Sequence, residues 1–194
     1  MKRLNRSGDY ADAFAEVFDS GKVTVPHVSQ ALAAYQRSLV PRFNRFDRFL
    51  DGDRKLLTDR QLWGPHLFRT RARCMNCHSG TALTDNGFHN PGLHFQGRAR
   101  EDIGRYRVTG DPADAGKFRT PSLRMVAKTG PWMHNGAFQD LRGILNMYNV
   151  GMPRPKPAAG KVYDPPFPAT DPLLRPLELH KTELEALTEF LRTL

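Results

Sequence analysis

The residues with the most distinctive chemistry are two cysteines and a histidine near the middle of the chain. Cys74 and Cys77 are separated by two residues, and His78 follows directly. In this C-x-x-C-H order two thiols can form thioether bonds to the vinyl groups of one haem, and the histidine then lies beneath the iron as an axial ligand. The spacing therefore predicts one covalently bound haem c.

Other uses of a Cys-x-x-Cys pair find less support in this chain. A zinc site needs two further soft ligands at matching spacing, and Cys74 and Cys77 are the only 2 cysteines present. A thioredoxin-type redox pair is expected within a βαβ pattern, and none is visible around the motif. A structural disulfide is the remaining alternative, and haem attachment is favoured over it.

The composition favours one domain with abundant loops. The chain has 194 residues, a formal net charge of +9, and 16 glycines with 15 prolines. Lysine and arginine are spread along the chain, and this distribution favours a basic surface with some arginines on haem carboxylates over nucleic-acid binding. No apolar run approaches the ~20 residues that a membrane span requires.

The location of the protein is predicted from the haem motif. The chain begins Met1-Lys2-Arg3, but no apolar stretch follows, so no secretory signal is predicted. Haem c is attached outside the cytoplasm, which predicts a periplasmic protein. The two observations together suggest a mature fragment, or part of a longer or split protein.

Helices are predicted on the N-terminal side of the motif. Apolar residues recur at helical spacing over 11–18, and Thr24 with Pro26 marks the start of a second helix. Thr58 and Gln61 form a capping-box pattern that opens the helix leading to Cys74. Pro65 should kink this helix or mark a later start. The segment 43–53 is predicted to be irregular.

Two further helices are predicted on the C-terminal side. Asp140 caps a short one, and Thr182 with Glu185 is predicted to cap the terminal one, whose apolar stripe is Leu184, Leu187, Leu191 and Leu194. Two long segments, 79–117 and 150–176, are rich in glycine and proline and predict loops; the second contains 8 prolines and cannot be a helix. His89 and His94 lie in the first of these loops and are weak ligand candidates.

These elements predict a mainly α fold, a cytochrome c-like haem domain with long Pro/Gly-rich loops. Residues 1–194 are predicted to form a single c-type haem domain. Within it, residues 1–57 would be a helical lead-in, and residues 58–194 would be the cytochrome c core with a proline-rich excursion at 150–176.

The sixth iron ligand is left open by spacing alone. The candidates after His78 are Met125, Met133, His134, Met147, Tyr148 and Met152. A methionine ligand would raise the reduction potential of the haem, and a histidine ligand would lower it. Tyrosinate would stabilise oxidised iron, and an open position would bind peroxide or another small ligand. On the helix after Asp140, Tyr148 shares a face with Leu141 and Leu145, whereas Met147 is rotated by about 100°. An ordinary core tyrosine is the alternative for Tyr148.

Several stretches together resemble the bacterial di-haem cytochrome c peroxidase and MauG family. They are 33–39 (AAYQRSL), 46–53 (FDRFLDGD), 88–90 (FHN), 104–105 (GR), 108–111 (VTGD), 118–124 (FRTPSLR), 129–136 (TGPWMHNG), 147–149 (MYN) and 184–194. The resemblance is to the C-terminal haem domain, because the N-terminal domain with its own C-x-x-C-H is absent from this chain. It implies a haem oxidoreductase that works with a second haem domain or a redox partner protein.

The resemblance also implies roles for particular residues. Tyr148 stands 14 residues after His134, where the MauG branch has a tyrosine ligand and the peroxidase branch a methionine. Tyr148 is therefore preferred over Met133 or Met147 as the sixth ligand. The carbonyl groups of Thr129 and Pro131 correspond to Ca²⁺ ligands of the family, although two carbonyls alone would bind calcium weakly.

The remaining site candidates are basic residues. Arg105, Arg119 and Arg124 are candidates for the haem propionates, because guanidinium groups match carboxylates; the alternative is that they are surface arginines. No residue is assigned a catalytic role, and His134 is a weak candidate for one. The leading hypothesis is a peroxidase-like or MauG-like enzyme, and the alternatives are a mono-haem electron carrier without peroxide chemistry and a haem sensor for small ligands.

Overall fold

The computed structural model describes residues 1–39 and 43–194, and this part of the chain is mainly helical, as predicted. Its α-helices are α1 (Gly8–Phe18), α2 (Val25–Ser38), α3 (Arg45–Leu50), α4 (Asp59–Arg69), α5 (Tyr106–Thr109), α6 (Leu141–Asn149) and α7 (Lys181–Leu191). Two strands, β1 (Phe88–His89) and β2 (Phe118–Arg119), pair antiparallel. No helix among the described residues is long and apolar enough to cross a membrane.

The chain divides into two compact units, Met1–Arg42 and Phe43–Leu194. In the first unit, α1 and α2 follow a short 3-10 turn at Leu4–Arg6. The predicted start of α2 is confirmed, because the Thr24 hydroxyl accepts a hydrogen bond from the backbone N–H of His27 at 3.3 Å. The prediction that residues 1–194 form one haem domain stays a prediction.

The second unit is built around the contact between α4 and α7. Thr58 and Gln61 form the predicted capping box at the start of α4. The helix continues through Pro65, so the alternative of a later start is wrong. A Cβ atom on Gly64 would lie 2.3 Å from the Cβ of Phe190 and 2.7 Å from the carbonyl oxygen of Ala186. Glycine at this position is therefore what lets the two helices approach closely.

The start of α7 lies earlier than the sequence pattern suggested, and the capping pair Thr182 and Glu185 is wrong. The Glu183 carboxylate accepts a hydrogen bond from the backbone N–H of His180 at 2.8 Å. Glu183 is buried and also forms an ion pair with Arg71. This long-range pair holds the capping carboxylate in place, and the local sequence does not reveal it.

The terminal leucine stripe forms one side of the hydrophobic core, as predicted. Leu184, Leu187, Leu191 and Leu194 are all buried. The core also contains other buried residues of α4, α6, α7 and the loops, namely Leu67, Phe68, Ala72, Val126, Leu141, Leu145, Leu179, Ala186 and Phe190. The predicted α7 therefore closes the fold over the helix that leads into the cysteine motif.

The segment 43–53 is not irregular, because it contains the short helix α3. Asn44 and Asp47 cap its first turn reciprocally, and these two hydrogen bonds start a helix that the aromatic spacing did not predict. Phe46 then packs edge-on against Phe190, with ring centroids 5.0 Å apart. A local cap and one long-range aromatic contact together fix this helix.

The proline-rich excursion is free of helices and strands between α6 and α7, as predicted. It is anchored to the core at both ends. The Asn149 side chain accepts a hydrogen bond from Leu179 N–H at 2.8 Å and donates one to the Leu179 carbonyl at 3.1 Å. The Thr170 hydroxyl donates to the Pro153 carbonyl at 2.6 Å. These bonds return the chain to α6 before α7 begins.

Candidate haem site

The second unit contains a cavity of about 540 Å³. This volume lies within the ~300–1,000 Å³ range typical of cofactor pockets. Its walls come from the end of α4, the turn after it, the loop 118–134, α6, α7 and the segment 173–179. Most lining side chains are apolar, including Phe68, Val126, Trp132, Leu141, Ile144, Leu145, Leu177, Leu179, Leu184, Leu187 and Leu191. The cavity is thus an apolar pocket with a small number of polar groups.

Cys74 and Cys77 both line this cavity, and neither forms a disulfide. A 3-10 turn, Cys74–Asn76, carries the first of them directly after α4. Burial raises the pKa of the Cys74 thiol to about 12 and that of the Cys77 thiol to about 11. Both are therefore neutral thiols facing an apolar space. Their placement fits two thioether bonds to one ring and does not support a structural disulfide.

His78 lines the same cavity, and its ring is hydrogen-bonded to the backbone. The Nδ1 atom lies 3.2 Å from the carbonyl oxygen of Leu83, which can only accept a hydrogen bond. The proton is therefore on Nδ1, and Nε2 keeps its lone pair for a metal. Burial lowers the pKa of His78 against the opposing effect of the Leu83 carbonyl, so the imidazole is neutral.

Tyr148 lies on the cavity wall formed by α6, together with Leu141 and Leu145. Burial, with smaller contributions from Cys74 and Cys77, raises its pKa to about 12. Tyr148 is half-buried, and its hydroxyl forms no hydrogen bond within the described part of the chain. Met147, the preceding residue, is not among the residues that line the cavity.

Two of the other sixth-ligand candidates also line the cavity. Met133 has a left-handed backbone with φ of 64°. The His134 ring stacks on Phe118, with centroids 3.5 Å apart and planes 8° apart, and burial lowers its pKa while Asp102 opposes this effect. Met125 and Met152 are absent from the cavity walls that the structure describes. The site thus brings Tyr148, Met133 and His134 together with the cysteine motif.

The structure separates the three arginines suggested as propionate partners. Arg119 lines the cavity, and its guanidinium donates to the side-chain carbonyl of Asn86. Arg105 and Arg124 are not among the lining residues that the structure describes. Arg105 instead pairs with Asp114 at 2.8 Å. Arg124 pairs with Asp47 and donates from Nε to the Thr81 carbonyl at 2.7 Å.

Two other arginines, Arg73 and Arg175, line the cavity but were not predicted from the sequence. The Arg73 guanidinium donates to the carbonyl oxygens of Arg175 at 3.0 Å and Pro176 at 2.9 Å. Among residues 43–194, neither arginine forms an ion pair with a carboxylate. The position of Arg73 directly before Cys74 was the available signal. No signal in the sequence pointed to Arg175, because 102 residues separate it from Arg73.

His89 is held between two acidic side chains at the edge of the cavity. Its Nδ1 lies 2.7 Å from Asp171, and its Nε2 lies 3.0 Å from Asp85. Burial alone would lower the pKa of His89, but the two carboxylates outweigh it and raise the pKa. Cys77 lies beside Asp85 and His89, with the three ligand-type atoms within 4.8 Å. Haem attachment would convert this thiol to a thioether, so the cluster fits a hydrogen-bonded group better than a second metal site.

Thr129 and Pro131, the candidate calcium ligands, lie on the cavity wall next to Trp132. The Trp132 indole N–H donates to the Val126 carbonyl at 2.8 Å and fixes this part of the loop. Calcium binding at Thr129 and Pro131 stays a prediction.

The residues around the cavity fit a haem. Two adjacent thiols, a neutral imidazole with a free Nε2, an unpaired phenol and arginines without carboxylate partners surround an apolar space. These are the groups that a porphyrin with two vinyl groups, an iron and two carboxylates requires. A mainly helical chain with this site belongs to the class of c-type haem proteins.

The comparisons with known proteins agree with this class. A family model described as di-haem cytochrome c peroxidase matches residues 1–55. The chain is 33% identical over 221 residues to the cytochrome-c peroxidase IdrP1 of Pseudomonas sp. (strain SCT), covering 99% of this chain and 55% of that protein. It is 32% identical over 197 residues to the methylamine utilization protein MauG of Methylorubrum extorquens, covering 100% of this chain and 51% of that protein.

A solved structure of a MauG-like protein associated with microbial copper homeostasis superposes with a TM-score of 0.76 at 28% identity, covering 99% of this chain and 60% of that one. The chain belongs to the di-haem cytochrome c peroxidase and MauG family, and the resemblance noted in the sequence is confirmed. It spans about half the length of the curated relatives it matches.

Proposed function

We propose that this chain is the C-terminal, haem c-bearing half of a di-haem peroxidase-like or MauG-like oxidoreductase. The observation that carries the proposal is the meeting of the C-x-x-C-H motif and Tyr148 on one apolar cavity. The chain matches about half of each relative, and the family model describes di-haem proteins. In this proposal the haem exchanges electrons with a second haem or a redox partner protein, in peroxide-linked chemistry outside the cytoplasm.

Each residue of the site has one task in this proposal. Cys74 and Cys77 would tether the ring, and His78 would bind the iron while the Leu83 carbonyl holds its Nδ1 proton. When bound, the haem would supply one-electron redox chemistry. Tyr148 would be the second protein ligand; its pKa is about 12 without a metal, so binding as tyrosinate would require the positive charge of the iron to lower that pKa. Arg119, Arg73 and Arg175 offer cations to the propionates. Thr129 and Pro131 remain the proposed calcium ligands.

The experiment that tests the proposal compares two tyrosine variants of haem-loaded protein. Tyr148→Phe should open the sixth position, which changes the absorption spectrum of the oxidised protein and lets the reduced protein bind carbon monoxide. Tyr163→Phe is the matched control, because its hydroxyl accepts a hydrogen bond from Ala158 N–H at 3.1 Å in the proline-rich excursion and does not line the cavity. An unchanged spectrum in Tyr148→Phe would exclude tyrosine ligation and leave Met133 or His134 as candidates.

A non-enzymatic electron carrier is the second candidate function. It is favoured by the presence of a single C-x-x-C-H motif, which provides for one haem c in this chain. Peroxide turnover with a reduced donor separates the two candidates. Turnover by the chain together with a second haem domain, and none by the chain alone, supports the proposed half of an enzyme. Electron exchange without turnover in either case supports the carrier.

A further inference from the structure

A second cavity, of about 290 Å³, is lined by the loop 92–98 and by part of the proline-rich excursion. We call it the His94 cavity, and within the described residues it shares no lining residue with the haem cavity. Its volume is close to the lower limit of the ~300–1,000 Å³ typical of ligand pockets, whereas a single buried water needs only ~10–15 Å³. His94, a weak ligand candidate in the sequence, therefore belongs to a separate space that can hold a small molecule.

Backbone contacts hold the walls of the His94 cavity together. A Cβ atom on Gly92 would lie 1.9 Å from the carbonyl oxygen of Pro153, so a glycine is needed where the loop meets the excursion. Further along the loop, the Gln96 side-chain amide donates a hydrogen bond to the Pro165 carbonyl at 2.8 Å. These contacts fix the cavity before any ligand binds, as is usual for small-molecule sites.

Two buried polar atoms in the wall of this cavity have no partner. His94 is 0% exposed and Gln96 is 4% exposed. The backbone N–H of Gln96 donates to Nδ1 of His94 at 3.1 Å, so the proton of the neutral imidazole is on Nε2. Within the described part of the chain, neither this Nε2–H donor nor the Oε1 acceptor of Gln96 forms a hydrogen bond. Unpaired buried groups destabilise a fold, so a bound polar group is expected to satisfy both.

The protonation state of His94 favours a ligand that accepts a hydrogen bond. Burial lowers the pKa of His94, and Arg98 lowers it further against the opposing effect of Glu101, so the ring is neutral. While Nδ1 accepts from the backbone, Nε2 carries the proton and has no lone pair for a metal ion. The buried end of the cavity is therefore suited to an oxygen atom of a ligand.

The exposed side of the cavity carries positive charge. Arg98 and Arg154 line it, and neither forms an ion pair with a carboxylate among the described residues. Arg154 donates to the Leu174 carbonyl, which leaves its other N–H groups available. The described lining residues include no acidic side chain, and the Glu101 carboxylate instead accepts from the Gly97 backbone N–H at 2.6 Å. Because guanidinium groups match carboxylates, this side favours an anionic ligand.

We propose that the His94 cavity binds a small hydroxy acid, a molecule with one carboxylate and one hydroxyl group. The carboxylate pairs with the guanidinium groups of Arg98 and Arg154. The hydroxyl accepts a hydrogen bond from Nε2–H of His94 and donates one to Oε1 of Gln96, because a hydroxyl group can do both. Apolar walls, to which Phe167 contributes, accommodate the carbon atoms between the two groups. This inference does not depend on the proposed function, since it uses no residue of the haem cavity.

Isothermal titration calorimetry of the haem-loaded chain tests this proposal. The probes are glycolate and lactate, and the controls are acetate and propionate, which are the same acids without the hydroxyl group. Glycolate or lactate should bind, and its control should bind at least about tenfold more weakly, because a site that hydrogen-bonds a hydroxyl group rejects the analogue without it. Lactamide, which keeps the hydroxyl group but lacks the charge, should also bind more weakly than lactate.

Two double variants locate the binding site. Arg98→Gln with Arg154→Gln should weaken hydroxy-acid binding by about tenfold, because the carboxylate loses its charged donors. Arg100→Gln with Lys156→Gln is the matched control. It removes two exposed positive charges from the same segments, at positions outside the described cavity lining, and should leave the affinity close to that of the wild type.

A third variant tests the buried end of the cavity. Gln96→Met removes the unpaired acceptor and should reduce the preference for the hydroxy acid over its control. A normal haem spectrum in each variant shows that the haem unit is folded. The proposal would be overturned by the absence of binding heat, which would mean that water alone fills the cavity, by equal binding of hydroxy acids and controls, or by equal affinities of the two double variants. Failure of the proposed function is read separately, as absence of haem at Cys74 and Cys77.

Discussion

The Nδ1 atom of His78 and the Leu83 carbonyl are joined by a hydrogen bond of 3.2 Å, and the same histidine lines the cavity. The four-residue loop between them, 79–82, therefore fixes both the orientation and the tautomer of the proposed proximal ligand. Such outer hydrogen bonds are a general device of metal sites, because they hold the ligand and raise its basicity. The loop conformation is as much a part of the site as the histidine itself.

The first prediction concerns this proximal ligand. His78→Gly should keep the haem that is covalently bound to Cys74 and Cys77. Its absorption spectrum should no longer be that of a haem with an axial imidazole. Because the substitution leaves a space next to Leu83, added imidazole should restore much of the original spectrum. Met75→Leu, which changes an exposed residue between the cysteines, is the control and should need no rescue. An absorption spectrum that is the same in His78→Gly and the wild type would contradict the role of His78 as a ligand.

The second prediction concerns the arginines at the cavity. Arg119→Gln should lower the midpoint potential, because a haem carboxylate that loses its cation stabilises the oxidised iron. Arg119 is exposed, so its pairing energy should be at most about 1 kcal/mol. Only the part of this energy that differs between the oxidised and reduced states shifts the potential, so the decrease should stay below roughly 45 mV. Potentiometric titration followed by absorbance provides the measurement.

The control for this prediction is Arg105→Gln, whose side chain pairs with Asp114 and lies outside the described cavity lining. Its potential should stay close to that of the wild type. A larger decrease for Arg105→Gln than for Arg119→Gln would mean that the propionates lie elsewhere than the cavity geometry indicates.

The third prediction concerns helix packing. Gly64→Ala should destabilise the protein by about 1–3 kcal/mol, although alanine is the better helix former, because the added methyl group would meet Phe190 and Ala186 of α7. Gly8→Ala is the control, since nothing lies within 4 Å of its added Cβ. Urea unfolding of the haem-loaded protein measures the free energy of unfolding of both variants against the wild type. A neutral Gly64→Ala would show that α4 and α7 are less closely packed than described.

The fourth prediction concerns the pH dependence of stability at His89. The folded protein raises the pKa of His89 above its ordinary value of about 6.5, so the charged ring stabilises the fold fully below that pH. This stabilisation is lost as the pH rises through the higher pKa of the folded state. His89→Gln should therefore be less stable than the wild type at about pH 6, with a smaller difference at alkaline pH.

Urea unfolding over a pH series provides this measurement, and His66→Gln, which removes an exposed histidine of α4, is the matched control. A difference for His89→Gln that grows with pH would show that the Asp85 and Asp171 carboxylates do not hold a charged His89.

The sequence predicts those parts of the protein that local rules govern. The C-x-x-C-H motif, the caps at Thr24, Thr58 and Asp140, and the leucine stripe of α7 each depend on residues a few positions apart. The orientation of Tyr148 toward the cavity follows in the same way, because helix geometry alone puts it on the face of Leu141 and Leu145.

Long-range contacts explain what the sequence did not reveal. The cap of α7 lies at Glu183 because Arg71 pairs with it, 112 residues earlier in the chain. Arg175 reaches the cavity because its carbonyl accepts from Arg73, at the end of a loop without local periodicity. Arg105 and Arg124 have the right chemistry for propionates, but Asp114 and Asp47 already hold them. Only the tertiary structure distinguishes these two arginines from those that line the cavity.

Haem attachment at Cys74 and Cys77 is tested most directly by the intact mass and absorption spectrum of the chain after production with a cytochrome c maturation system. We expect a mass increased by one haem, a Soret band, and a haem that acid–acetone does not extract. The variant with both Cys74→Ala and Cys77→Ala should lose the mass increase. A wild-type chain with the mass of the bare polypeptide and no Soret band would contradict the haem site and every redox role proposed for it.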